Sequence, residues 1–168
     1  FSKFGLLLDL LRGDGHGDHG SHVDKGIGWN KNDPLDRIVL FTESVKTLDW
    51  LEAHLPKALK LKTSGKNAQV ARLDGGVRDV DQMEIVNAFN RADGPLRLLL
   101  CSDVASEGLN LHHCTHRLMH FDIPWSLMVF QQRNGRVDRY GQSVAPEIHY
   151  LLSEAADPAV RGDQRVLE

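Results

Sequence analysis

The chain has 168 residues, 41% apolar and 26% charged, with a formal net charge of −3. That composition suits one globular domain with a substantial buried core. It excludes an apolar membrane-spanning helix, because no apolar stretch reaches ~18 residues, and it argues against a free-standing basic nucleic-acid module.

In chain order, Phe1 to Leu11 reads as an amphipathic helix with Phe4, Leu7, Leu8 and Leu11 at helical spacing. Residues Arg12 to Pro34 are rich in Gly, His, Asp and Asn and lack apolar periodicity, so a mobile loop or insertion is expected. Arg37 to Phe41 is a short apolar run that reads as a buried strand. Ser44 stands at a helix start, and Val45 to Leu61 continues it with Leu48, Leu51 and Leu55 on one face and Pro56 as a candidate kink. Gln69 to Leu73 predicts a second strand, closed by Asp74-Gly75-Gly76. Asp79 to Asn90 predicts a helix with Met83, Val86 and Phe89 as its apolar stripe. Leu96 to Cys101, Arg117 to Phe121 and Ile148 to Leu152 are the remaining expected strands. Strands alternating with helices imply βαβ units, hence an α/β fold with a parallel sheet covered on both faces.

Such sheets bind ligands beyond the carboxyl ends of their strands. Thr42 and Glu43, then Asp74 to Gly76, then Ser102 to Leu111, then Asp122, Pro124 and Trp125 all fall there. Gly75 and Gly76 suit close approach to phosphate oxygens, or equally a plain tight turn. Ser102 is placed to cap a helix or to hold a nucleic-acid phosphate, and Asp103 divides between cap and active-site partner. Glu107 and Asn110 are placed to orient an arginine or a ribose, or to close a loop. The run Gln132-Arg133-Asn134-Gly135-Arg136-Val137-Asp138-Arg139-Tyr140-Gly141-Gln142 sets Arg136 and Arg139 three residues apart. On a helix, both guanidiniums would leave one face. Such a pair suits the charge on a phosphoryl group in transit; the plainer reading is a solvated basic turn at a helix end. Arg117, Arg133, Arg136 and Arg139 against Asp122 and Asp138 make this segment locally basic. No Gly-x-x-x-x-Gly-Lys-Ser/Thr phosphate loop occurs, nor a strand ending in paired carboxylates suited to magnesium. Arginine fingers without a phosphate loop should act in trans, on a nucleotide held by a partner.

These segments together resemble the second RecA-like lobe of superfamily 2 helicases, and within it the Swi/Snf-related DNA translocases, including bacterial members. Ile38 to Thr42 is similar to motif IV, Leu73 to Gly76 to the short glycine motif, and Ser102 to Leu111 to motif V. His120 to Ser126 resembles the family's strand-to-helix segment, and Gln132 to Gln142 resembles motif VI. The match spans roughly Arg37 to Leu152. The resemblance implies a three-layer α/β/α RecA-like fold. It implies that Arg136 and Arg139 are arginine fingers reaching ATP, with Gln132, Gly108, Asn110 and Asp103 on the nucleotide side. It implies that Thr42, Gly75 and Ser102 touch the phosphates of the tracked strand, with DNA favoured over RNA. ATP and magnesium would be held mainly by a first RecA-like lobe in the same polypeptide. The Asp-Val-Ala-Ser-Glu-Gly form of motif V departs from the glycine-richer version of many eukaryotic remodellers and favours a bacterial-type member.

The expected organisation is a leading helix over 1–12, the loop over 13–34, the lobe over 35–155 and a tail over 156–168. Phe1 in place of Met suggests a piece of something longer, with no evident signal peptide. Two cysteines, Cys101 and Cys114, make no disulfide framework, so a reducing cytosol is expected; the resemblance implies that it is a bacterial cytosol or nucleoid. His16, His19 and His22 with Asp14, Asp18 and Asp24 form a weak metal-ligand pattern, and His112, His113, Cys114 and His116 a weaker one; no metal is expected at either. The rival reading for the whole chain is a non-catalytic nucleic-acid-binding or protein-docking module.

Overall fold

The computed structural model describes residues 3–13, 26–103, 110–111, 113, 115–140, 142 and 144–152. Its elements are α1 (Lys3–Arg12), β1 (Arg37–Thr42), α2 (Val45–Leu59), β2 (Val70–Leu73), α3 (Asp79–Phe89), β3 (Leu98–Ser102), β4 (Thr115–His120), α4 (Leu127–Asn134) and β5 (Glu147–Tyr150). The five strands form one parallel sheet in the order β2-β3-β1-β4-β5. The strands fall where the apolar runs placed them, with ends shifted by one or two residues.

The continuous apolar character of β1 and β3 follows from burial on both faces. Paired residues share a face, so Ile38, Leu40, Leu98, Leu100 and Met119 point one way. They meet Leu48, Leu51 and Leu55 of α2 and Leu7 and Leu11 of α1. Val39, Phe41, Leu99, Cys101 and Leu118 point the other way, toward Phe89 at the end of α3 and Val137 beyond α4. The result is the RecA-like three-layer α/β/α arrangement. The leading helix is not separate from it: Leu7 and Leu11 are 0% and 3% exposed in the same core as α2.

Three expectations change. The helix over Val45 to Leu61 stops at Leu59, because Lys60 takes a left-handed turn (φ 55°) that closes it. Pro56 sits in the last turn, where the helix runs on past it. Met83 is not core: it is 67% exposed, because α3 lies against the edge strand β2 and leaves one side to water. And the segment 26–34 is tied down. Trp29 is buried with its Nε1 donating to Asp36 O at 3.0 Å, and Ile27 N donates to Leu10 O at 3.0 Å. Gly26 lies so near Gly13 that a Cβ would meet Gly13 Cα at 2.4 Å. The metal-ligand pattern over Asp14 to Asp24 lies outside the described residues, as does the tail over 156–168.

A charge buried at the head of β1 holds the second layer. Arg37 is 0% exposed and its guanidinium lies 5.7 Å from the Phe89 ring centroid. It donates to the carbonyls of Phe89, Arg91 and Gly94, where α3 ends. A cation at a helix C-terminus satisfies carbonyls that lack intrahelical partners. Replacing Arg37 with Met would keep the volume and strand these buried acceptors. Each unsatisfied buried group costs ~1–3 kcal/mol, so Arg37→Met should lower unfolding free energy by about 3 kcal/mol in urea titrations. A loss under about 1 kcal/mol would show that water or backbone shifts replace the arginine.

Candidate active site

The chain leaves β1 for one side of the sheet and returns through β3, then crosses to β4 on the other side. The carboxyl ends of β1, β3 and β4 therefore meet where the winding changes direction, the usual ligand crevice of open α/β sheets. Thr42 and Glu43 end β1, Ser102 and Asp103 end β3, and His120 to Asp122 end β4.

Arg133, on α4, is the centre of this meeting point. Its side chain is 0% exposed. Nε and Nη2 donate to the two carboxylate oxygens of Asp103 at 2.5 and 2.8 Å. Nη1 donates to Asp122 O at 2.9 Å and to His120 Nδ1 at 3.2 Å. The guanidinium carbon sits 5.6 Å from the Phe41 ring centroid. A buried charge is tolerated only when paired and hydrogen-bonded like this. Asp122 in turn accepts from the Thr42 hydroxyl and from Glu43 N, at 3.0 and 3.1 Å for the latter. Partial burial and the neighbouring Asp122 carboxylate push the Glu43 carboxyl up from its ordinary range, although Arg133 opposes them.

His120 extends the network. An arginine always donates, so His120 Nδ1 is the acceptor and Nε2–H donates to Asn134 Oδ1 at 2.8 Å. The ring stacks with Phe130 and Tyr150 at centroid distances of 5.1 and 5.0 Å. Burial pushes its pKa down to about 4, against the pull of Asn134, which favours the charged form.

The basic segment is therefore less basic than its sequence. Arg133 is neutralised by Asp103 and Asp122, and Arg117 by Asp36 (2.7 Å) and Glu147. Nor do Arg136 and Arg139 share a helical face. Helix α4 stops at Asn134, and the chain turns, with Arg136 N donating to Arg133 O at 3.0 Å and Asp138 N to Asn134 O at 3.0 Å. Gly135 there closes the helix. Arg136 is 8% exposed, while Arg139 lies at the surface with Nε donating to Gly135 O at 3.2 Å. Val137 between them is buried in the second core cluster.

The other expected site residues are scattered. Asp103 faces Arg133 rather than the outside. Gln132 is half-buried beside it on α4. Asn110 gives its carbonyl to Asn90 Nδ2 at 2.7 Å, at the C-terminal end of α3 rather than among the strand ends around Asp103. Gly108 lies outside the described residues. Thr42 and Ser102 are 0% and 1% exposed, so neither hydroxyl is presented at the surface. Gly75 follows Asp74, whose carboxylate accepts from Gly76 N at 2.7 Å and pairs with Arg72 at 2.5 Å. Burial alone would raise the Asp74 carboxyl, but the Gly76 N–H and the Arg72 guanidinium outweigh it and hold it below its ordinary value. The sequence reading missed Arg133, His120 and Asn134 as a working unit. Only the Arg-x-x-Arg-x-x-Arg spacing of Arg133, Arg136 and Arg139 was there to see, and it did not tell the two buried arginines from the exposed Arg139. Among the described residues no three His, Cys, Asp or Glu side chains converge as a metal site. No described helix is long and apolar enough to cross a membrane.

A family model described as the helicase conserved C-terminal domain matches residues 20–141. Among solved structures, the chain is similar to the crystal structure of the C-terminal part of the Fun30 ATPase domain, at 22% identity and a TM-score of 0.64, covering 78% of this chain and 38% of that one. It is also similar to domain 2 of the Mss116p DEAD-box helicase bound to an RNA duplex, at 20% identity and a TM-score of 0.55, covering 72% of this chain and 44% of that one. The chain thus spans less than half of either structure, and the likeness is one of fold.

The His120 network makes stability depend on acidity. The imidazole is neutral when folded down to pH about 4 and takes a proton near pH 6.5 when unfolded. The unfolded state therefore binds more protons between those limits, and stability falls as pH drops through that window. The full loss is about 3 kcal/mol. Comparing urea midpoints at pH 7 and pH 4, His120→Gln should lose less stability than the wild type over this interval. Equal losses in both proteins would show that His120 does not carry the effect.

Proposed function

Since the chain belongs to the helicase conserved C-terminal domain family, we propose that it is the second motor lobe of an ATP-dependent translocase or helicase of the Swi/Snf-related, bacterial type. Arg136 and Arg139 are its arginine fingers, and duplex DNA rather than RNA is its track. The observation that carries this reading is the Arg133 clamp. It fixes the end of α4 to the carboxyl ends of β1, β3 and β4, and so fixes the start of the turn that bears both fingers. A finger is useful only when its position is set before the reaction.

The residues present fit a triphosphate from one side only. They add positive charge, and the sequence has no phosphate loop to grip one. ATP with magnesium, gripped by a first RecA-like lobe of the same polypeptide, would supply the phosphoryl group and the leaving group. Here Arg139, at the surface, is the group able to approach the equatorial oxygens, which gain the most stabilisation in the transition state. Arg136, mostly buried, needs the turn to open slightly when the lobes close. Gln132 serves the nucleotide side, and Asp103 acts there through Arg133; Asn110, bonded to Asn90 at the end of α3, has no part in it. On the track side, Gly75 contacts strand phosphates directly. Thr42 and Ser102 are buried as whole residues and reach strand phosphates only if lobe closure uncovers them.

In the polypeptide that carries both lobes, Arg139→Ala should lower ATP turnover about 10³-fold while DNA affinity stays near that of the wild type. Unchanged DNA-stimulated turnover would reject the finger assignment. Stimulation by duplex RNA but not by duplex DNA would reverse the choice of track. The 168-residue chain alone should hydrolyse no ATP above background; steady hydrolysis would remove the need for a partner lobe.

A further inference from the structure

A second charged site lies at the other end of α2, away from the strand ends that hold the Arg133 cluster. Helix α2 starts at Ser44, beyond the carboxyl end of β1, and runs back to close at Lys60. There a cavity of about 540 Å³ opens, with Arg12, Lys31 and Lys60 among its lining and Leu11, Trp29 and Leu59 as buried apolar floor. No Asp or Glu is among its described lining residues.

The helix end does not use up this charge. Its last four carbonyls are all accounted for. Pro56 O accepts from Leu61 N at 2.8 Å and Lys57 O from Lys60 N at 3.2 Å. Ala58 O accepts from Arg12 Nη2 at 2.8 Å and Leu59 O from Lys31 Nζ at 2.5 Å. Those bonds orient Arg12 and Lys31 toward the same helix end and leave further N–H groups on each. A helix C-terminus offers roughly half a negative charge, against three cationic side chains. A residual charge of about two and a half positive units is enough to neutralise a phosphate monoester, which carries about −1.5 to −2 at neutral pH. The volume falls within the range of small-molecule pockets. The apolar floor gives the organic part of such an ester a surface to cover.

We propose that this cavity binds a phosphate monoester of about nucleotide size, whether as a free mononucleotide or as the 5′-phosphate end of a nucleic-acid strand. The phosphate is held by Arg12, Lys31 and Lys60, and the organic part lies over Leu11, Trp29 and Leu59. The site is separate from the arginine-finger turn and stands whether or not that turn serves ATP hydrolysis.

The test is titration of the chain with AMP, adenosine and a 5′-phosphorylated or 5′-hydroxyl oligothymidylate, followed by calorimetry and by amide chemical shifts. AMP should bind at least about tenfold more tightly than adenosine, with shifts centred on Lys31, Asn32 and Lys60. Tighter binding of the phosphorylated oligonucleotide than of AMP identifies a strand end as the source; the opposite order identifies a free nucleotide. The double variant Arg12→Gln, Lys60→Asn keeps a donor for Ala58 O and a residue that tolerates the left-handed turn. It should weaken AMP about tenfold or more. Absence of saturable binding to the wild type would overturn the proposal. So would shifts confined to Gly75, Arg136 and Arg139, or an unchanged affinity in a variant whose circular dichroism matches the wild type.

Discussion

The pairing of one buried guanidinium, Arg133, with Asp103 is the constraint on which the carboxyl edge of this lobe depends. A fully buried cation is expensive unless its donors are met. Meeting them here requires Asp103 at the end of β3, Asp122 and His120 at the end of β4, and α4 docked above both. Asp122 then reaches β1 through the Thr42 hydroxyl and Glu43 N. Three strands that are neighbours in the sheet but distant in sequence are thereby locked at one end. Helix α4, which carries Arg133, is docked to those ends.

Two other buried arginines do comparable work elsewhere. Arg37 holds the end of α3 to the start of β1, and Arg117 ties Asp36 and Glu147 to β4. The 26–36 segment is fixed in place by the same group, through the Ile27 carbonyl and Asp36. Arginine suits these posts because its planar fork serves several acceptors at once and stays charged when buried. Arg37, Arg117 and Arg133 thus each hold part of the fold from within. In the run Gln132 to Gln142, Arg133 and Arg136 are buried and Arg139 is exposed.

Much of the architecture was legible in the residues. Continuous apolar runs at Ile38 to Phe41 and Leu98 to Cys101 needed two covering layers, which is a statement about water and needs no partner to be specified. Ser44 as a cap and the Leu48, Leu51, Leu55 stripe fixed α2 locally. Where local signals misled, a neighbour decided otherwise. Met83 had helical spacing but no layer above it, and Trp29 lay in a polar stretch yet found Asp36 and the α1–α2 layer. The candidate site was legible as a neighbourhood. Its residues follow strand ends, and strand ends gather at one edge of a parallel sheet.

The sequence by itself determined the fold class, which residues follow the carboxyl ends of the strands, and the presence of an arginine-rich run without a phosphate loop. Those depend on periodicity, strand order of polarity and residue type, which are properties of short windows. Only the tertiary structure decided which arginines are buried, that Asp103 serves Arg133, and that the two candidate fingers follow a helix end instead of sharing a helical face. Burial and ion pairing are set by residues 11 to 30 positions away along the chain or farther, and no local pattern encodes which partner will be there.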